Sequence, residues 1–167
     1  MKLTPPAPSA PDSFQHPLRT LLVDDSVVWL KSLCAYFETQ PLFQVVGTAI
    51  DGGEALHRTE LLGPDLILMD LHMPVMDGFQ ATAILRRRTP GIRIIIMTTE
   101  DSTTAEAEAR AHGAHGFIGK QRIINDLVTE VRQVFHRNHA KDERQQFLIP
   151  SRSTSTNGPS CVRPAVG

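Results

Sequence analysis

The chain has 167 residues, with 17 basic and 18 acidic side chains, and apolar residues make up 41% of it. This length suits one domain with tails, and the near-neutral charge gives no indication of a nucleic acid or a membrane surface as a partner. No run approaches the ~20 apolar residues of a membrane span, no signal peptide is recognisable, and Cys34 and Cys161 indicate no disulfide framework, so we expect a cytoplasmic location.

Composition divides the chain into three parts. Residues 1–17 are rich in proline and are predicted to form a flexible leader. Residues 138–167 are mostly polar and are predicted to form a disordered tail. Residues 18–137, between them, alternate between apolar runs and amphipathic stretches, which predicts one folded domain.

Five strands and five helices are predicted to alternate in this domain. The strands are Arg19–Val23, Phe43–Ala49, Leu66–Met69, Ile92–Met97 and His115–Ile118. The helices are Ser26–Glu38, Gly53–Leu61, Gln80–Arg87, Thr104–His112 and Ile123–Phe135. Continuous apolar runs such as Leu66–Met69 are typical of strands that are buried on both faces. The pattern predicts an α/β fold with a doubly wound, five-stranded parallel sheet, flavodoxin-like (βα)5, with strand order 2-1-3-4-5.

Polar side chains stand where the predicted strands end. Asp24 and Asp25 follow the first strand, Asp70 follows the third, Thr98 the fourth and Lys120 the fifth. Doubly wound sheets bind ligands at the carboxyl ends of their strands, at the point where the strand order reverses. We therefore expect these five side chains to share one site.

The residue types at this edge suit phosphoryl transfer. Three carboxylates in one pocket repel one another, and a divalent cation offsets that repulsion. Oxygen ligands suit Mg²⁺, and a carboxylate can act as a nucleophile toward phosphorus. The ammonium of Lys120 and the hydroxyl of Thr98 can face the negative oxygens of the phosphoryl group. The site therefore predicts phosphoryl transfer to an aspartate with Mg²⁺ as cofactor.

Five motifs of the sequence resemble the receiver domain of response regulators in two-component systems. They are Leu22–Asp25, Pro64–Asp70, Asp70–Pro74 with Met76–Gly78, Ile96–Thr98, and Gly116–Lys120. The resemblance covers about Leu18 to Phe135. It implies that Asp70 is the phosphoacceptor, that a sensor histidine kinase or a phosphotransfer protein is the donor, and that the chain catalyses only its own phosphorylation and dephosphorylation.

The same resemblance implies a set of metal ligands around the phosphoacceptor. Asp25 is expected to bind Mg²⁺ directly, Asp24 through water, and Asp70 with its carboxylate. The backbone carbonyl of His72 is implied as a further ligand.

Other residues are implied to sense the phosphoryl group or to control its lifetime. Thr98 and Phe117 occupy the switch positions, the second being an aromatic residue that moves inward on activation. Lys120 is expected to neutralise the phosphoryl group. His72 and Glu100 occupy positions that tune dephosphorylation.

The output of the chain is left open by its sequence. The motifs resemble most closely the receivers that precede helix-turn-helix domains, but the residues after Phe135 lack the length and periodicity of such a domain. The leading hypothesis is a receiver that signals to a partner protein or relay through a phosphorylation-dependent conformational change. The alternative is the receiver part of a DNA-binding transcriptional regulator without its output domain.

Two further classes of protein rank lower. A phosphatase with Asp70 as its nucleophile would need a second acid two residues later, where His72 stands. An inactive docking receiver would not need the complete set of site residues. We expect an output partner that the sequence does not identify, no membrane partner, and no nucleic-acid binding by this chain alone; a homodimer is left open.

Overall fold

The structure is a computed structural model that describes residues 14–100 and 102–146, and side chains up to residue 137. Its strands are β1 (Leu18–Val23), β2 (Phe43–Ala49), β3 (Leu66–Asp70), β4 (Arg93–Thr98) and β5 (Gly116–Gly119). Its α-helices are α1 (Val27–Glu38), α2 (Gly52–Leu62), α3 (Gly78–Arg88), α4 (Thr103–Ala111) and α5 (Ile123–Gln146). A short 3-10 helix, Lys120–Arg122, joins β5 to α5.

The described strands form one parallel sheet in the order β2-β1-β3-β4-β5. This confirms the predicted α/β fold and the predicted strand order. The order reverses between β1 and β3, because β2 lies on one side of β1 and the later strands lie on the other. The carboxyl ends of β1 and β3 therefore flank the crevice in which such sheets bind ligands.

Strand β3 is buried on both faces, and it divides its side chains between two cores. Leu66 and Leu68 pack in a cluster with residues of α1 and α5. Ile67 and Met69 pack in a second cluster with residues of α2, α3 and α4. Burial of each such side chain contributes about 2 kcal/mol, so both helical layers hold the sheet that carries the site.

Four helices begin with a side chain that accepts a backbone hydrogen bond. Ser26 caps α1, Asp51 caps α2, Asp77 caps α3 and Ser102 caps α4. Each cap satisfies an amide that the first helical turn leaves without a partner. Asp51 and Asp77 are therefore structural acids at the same edge of the sheet as the candidate site.

Helix α5 runs past the predicted end at Phe135 and reaches Gln146. The prediction stopped where the apolar periodicity stops, but residues 136–146 contain neither proline nor glycine, so nothing in their sequence breaks the helix. Residues 138–146 of the predicted tail are thus helical. Residues 147–167 of that tail and residues 1–13 of the predicted leader lie outside the described residues.

None of the helices in the described ranges combines the length and the apolar character that crossing a membrane requires.

The turn between β3 and α3 contains a valine in a strained backbone conformation. Val75 has φ of 68°, and the amide of Met76 donates a hydrogen bond of 2.7 Å to the carbonyl of Pro74. This is a three-residue turn around a β-branched residue, a rare arrangement. The side chain is 95% exposed, so no buried contact offsets the strain.

We expect Val75→Asn to raise the free energy of unfolding by about 1 kcal/mol, because asparagine tolerates positive φ far better than valine does. Urea unfolding of the two proteins measures the change. Val28→Asn is the matched control, since Val28 is 76% exposed on α1 and is not among the positive-φ residues. A gain that is equal in both variants, or absent in Val75→Asn, would contradict strain at this turn.

Candidate functional site

The carboxyl edge of the sheet brings the predicted site residues to neighbouring strand ends. Asp24 directly follows β1, Asp70 ends β3, Thr98 ends β4, and Lys120 directly follows β5. Asp24 and Thr98 are completely buried, and Asp70 is only 4% exposed. The parallel strands therefore place buried polar groups at the carboxyl edge of the sheet, where the charges of Asp24 and Asp70 are poorly screened by water.

Three carboxylates converge at this edge. Asp24, Asp25 and Asp70 each offer an oxygen, and these oxygens lie within 4.8 Å of one another. Asp25 is exposed, so the cluster opens to solvent on that side. The backbone holds Asp24 firmly: its amide donates to the carbonyl of Ala49, and its Oδ1 accepts from the amide of Ser26 at 2.9 Å.

Lys120 faces two of these acids. Its Nζ lies 2.6 Å from Oδ2 of Asp24 and 2.9 Å from Oδ1 of Asp70, and its side chain is 15% exposed. At these distances the ammonium forms close ion pairs with both carboxylates. The lysine therefore bridges the ends of β1 and β3 from the end of β5.

Two groups of the pocket, Asp70 and Lys120, have shifted pKa values. Burial raises the pKa of Asp70 above its ordinary value, because the hydrogen bond and the charge of Lys120 only partly compensate for lost hydration. Burial alone would lower the pKa of Lys120, but its hydrogen bonds to Asp24 and Asp70 outweigh burial and raise that pKa. Lys120 therefore stays a cation at neutral pH.

The acid cluster fits a hard divalent cation. Its donors are all carboxylate oxygens, and Mg²⁺ binds through one or two carboxylates while it keeps several waters. Asp25 is exposed and is absent from the ion pairs of Lys120 described above, so its carboxylate is available to such an ion. The site therefore fits the Mg²⁺ that the sequence predicts.

Two loops meet at the mouth of the site. The hydroxyl oxygen of Thr98 accepts a hydrogen bond of 3.0 Å from the amide of Glu100. The carboxylate of Glu100 lies 3.7 Å from Nε2 of His72, and both side chains are mostly exposed. The two residues that the sequence associates with dephosphorylation thus lie next to each other, a contact that the sequence does not predict.

Phe117 lies on β5 and is half-buried against the core cluster that contains residues of α2, α3 and α4. In the sheet register it pairs with Ile96, and Gly119 pairs with Thr98. The two predicted switch residues are therefore on adjacent strands, two residues apart in register. The inward movement predicted for Phe117 stays a prediction.

Sequence reasoning missed two features of the site. A Cβ atom at Gly78 would collide with the backbone carbonyl oxygen of Asp70, so α3 can begin beside Asp70 only because residue 78 is glycine. The ring of Trp29 lies with its centroid 5.9 Å from Nζ of Lys120. The sequence alone could not predict this contact, because it joins side chains from separate elements of the fold.

The fold and the site define an α/β module with an acidic pocket that a lysine bridges. Comparisons with known proteins identify the family of this module. Residues 20–132 match the family model described as the response regulator receiver domain. The chain belongs to this family. Phosphorylation on aspartate and magnesium binding are typical of its members.

Similar proteins include enzymes and transcriptional regulators. The chain is 36% identical over 130 residues to a protein-glutamate methylesterase/protein-glutamine glutaminase of Methanococcoides burtonii, an alignment that covers 72% of this chain and 37% of that protein. It is 28% identical over 117 residues to the transcriptional regulatory protein LnrK of Bacillus subtilis, covering 70% of this chain and 53% of that protein. The chain thus spans about half or less of these relatives.

A solved structure with a similar fold is the response regulator domain of Thermotoga maritima CheB. It is 32% identical in sequence to this chain, with a TM-score of 0.67, and the match covers 72% of this chain and 98% of that domain. The similarity is thus confined to the receiver domain, and it covers nearly all of that solved domain.

We expect Asp70→Asn to raise the free energy of unfolding at pH 7 by on the order of 1 kcal/mol when EDTA is present. The raised pKa of Asp70 means that folding disfavours its ionised form. The resulting loss of stability is fully present above the pKa of the folded state, and it disappears as the pH falls toward the pKa of the unfolded state. Urea unfolding at pH 7 and at about pH 4 measures the gain, which should shrink at the lower pH. Asp126→Asn is the control, because Asp126 is a half-exposed acid on α5 that pairs with Arg122. A gain that is constant with pH would contradict this cause.

Proposed function

We propose that this chain is a receiver that accepts a phosphoryl group on Asp70 and signals through the resulting conformational change. The observation that carries the proposal is the position of Lys120, with its ammonium 2.6 Å from Asp24 and 2.9 Å from Asp70 in a poorly exposed pocket. A buried lysine between two acids costs stability compared with apolar residues. Such a group is expected where it takes part in chemistry.

Magnesium is the proposed cofactor. Asp24, Asp25 and Asp70 would hold it, together with the backbone carbonyl of His72, with Asp24 acting through water. When bound, the ion supplies positive charge against the three carboxylates and the oxygens of the phosphoryl group. The convergence of three carboxylate oxygens within 4.8 Å supports this ligand set.

The proposed transfer is a displacement at phosphorus. A carboxylate oxygen of Asp70 forms a bond to phosphorus while the bond between phosphorus and the donor's histidine nitrogen breaks, and that nitrogen keeps the electron pair. Lys120 offers its ammonium and Thr98 its hydroxyl to the phosphoryl oxygens. Since both residues come from strands other than β3, the transfer would draw β4 and β5 toward Asp70.

The proposed signal travels from the phosphoryl group to Thr98 and Phe117. The added charge of about −1.5 to −2 would favour a state in which Thr98 and Lys120 turn inward. The proposed phosphoryl donor is a sensor histidine kinase or a phosphotransfer protein. The signal is proposed to pass to a partner protein or a relay. The proposed location of the chain is the cytoplasm. We propose no activity beyond the chain's own phosphorylation and dephosphorylation.

A second candidate function is the receiver part of a DNA-binding regulator. It is favoured by the similarity to LnrK, a transcriptional regulatory protein, of which the alignment covers 53%. The chain is also similar to a methylesterase, of which the alignment covers 37%. The two similarities therefore point to different output domains in a longer protein. The sequence of the complete encoded protein distinguishes these outputs. Specific promoter binding by this chain in a gel-shift assay would overturn the proposal that it signals only to a partner protein or relay.

We expect the chain to gain the mass of one phosphoryl group when it is incubated with acetyl phosphate and Mg²⁺, because its site holds a nucleophile, cation ligands and Lys120. Intact-mass spectrometry measures the gain. It should disappear in Asp70→Asn and when EDTA replaces Mg²⁺, and it should persist in Asp126→Asn. No mass gain in the parent chain, or an undiminished gain in Asp70→Asn, would contradict the proposal.

We expect His72→Ala and Glu100→Ala each to change the lifetime of the phosphoryl group several-fold. Both side chains lie at the mouth of the site, 3.7 Å apart, where an attacking water must pass. Decay of the phosphorylated mass after removal of acetyl phosphate measures the lifetime. Glu106→Ala on α4 is the control, because Glu106 is a half-exposed acid paired with Arg110. Unchanged decay in both site variants would rule out this role.

A further inference from the structure

Trp29, the only tryptophan of the chain, lies in the first turn of α1 beside the site. Its amide donates a hydrogen bond of 3.3 Å to Oγ of Ser26, the cap of that helix. Its side chain is half-buried and packs against the core cluster that contains residues of α1 and α5. The helix cap therefore fixes the backbone of Trp29, and the core contacts its indole ring.

The ring faces the ammonium of the site lysine. Nζ of Lys120 lies over the ring of Trp29 at 5.9 Å from its centroid, inside the ~6 Å reach of a cation–π interaction. The same nitrogen contacts Asp24 and Asp70, and the side chain is only 15% exposed. Two acids and one aromatic face thus surround the ammonium, and little of it is left to water.

Packing alone does not explain a tryptophan at this place. Its Nε1 is buried and has no hydrogen-bond partner in the part of the chain that the structure describes. A buried donor without a partner costs stability, a cost that phenylalanine or leucine would avoid while still filling much of the space. Among aromatic rings, however, indole attracts a cation most strongly. An indole at this position therefore indicates a role for its face.

We propose that Trp29 is a positioning residue that holds the ammonium of Lys120 in the pocket, directed toward Asp70. A lysine has a flexible four-carbon stem. With only the two carboxylates as partners, its ammonium could therefore shift toward Asp24 or toward Asp70. An aromatic face on a third side limits that movement. The consequence for phosphoryl transfer rests on the function proposed above, whereas the contact itself does not.

A double-mutant cycle tests the contact without any phosphoryl chemistry. Urea unfolding is measured with EDTA present for the parent, Trp29→Leu, Lys120→Met and the double variant. We expect the two changes to be coupled by about two- to five-fold in the unfolding equilibrium constant. In a second cycle with Trp29→Phe the coupling should be smaller, since a ring remains. If Trp29→Leu does not fold, Trp29→Met takes its place, and additive effects would overturn the proposal.

Initial rates of phosphorylation by limiting acetyl phosphate test the consequence. We expect Trp29→Leu to be several-fold slower than the parent and Trp29→Phe to stay within about two-fold of it, because the smaller ring still faces the ammonium. Phe37→Leu is the matched control, since Phe37 is a buried aromatic residue on the same helix, outside the site. It should lose stability without losing rate.

The outcomes separate the positioning role from the proposed function. Equal slowing of Trp29→Phe and Trp29→Leu would show that only packing matters and would overturn the positioning role. Coupling in the cycle together with rescue by phenylalanine would support it. No mass gain in the parent would refute phosphoryl transfer, whereas the unfolding cycle would still decide whether Trp29 holds Lys120.

Discussion

Lys120 and the carboxylates of Asp24 and Asp70 form the interaction on which the candidate site depends. The two acids are almost completely buried, so without the ammonium their charges would lie side by side with little water to separate them. Apolar residues in the same three places would give a more stable protein. The sheet therefore tolerates an electrostatic cost at the one edge where its chemistry is proposed.

The parallel sheet makes this arrangement possible, because its strands end at the same edge although their sequences are far apart. Asp24, Asp70 and Lys120 come from three different strands and meet only there. Close packing then fixes the details: Gly78 lets α3 start against the backbone of Asp70, and Ser26 ties α1 to Asp24 through its amide. The two helical layers supply the rigidity that loops alone would lack.

Sequence reasoning predicted the features that depend on periodicity and on the residues at strand ends. The buried run Leu66–Met69 and its counterparts predicted the parallel sheet and its strand order, and the polar residues after each strand predicted where a site would form. It did not predict the strain at Val75 or the contact of Trp29 with Lys120, because both depend on turn geometry and on side chains from separate elements. The end of α5 was missed because helix propensity continues after apolar periodicity has stopped.

Helix α5 connects the site with residues that lie far from it. The helix begins within three residues of Lys120 and continues to Gln146, which corresponds to a length of about 36 Å. A tilt of about 5° at its first turn would carry its far end through about 3 Å. The core holds the first half of the helix, next to the acidic pocket, so a shift of that packing would be felt far from the sheet, at the end of the helix.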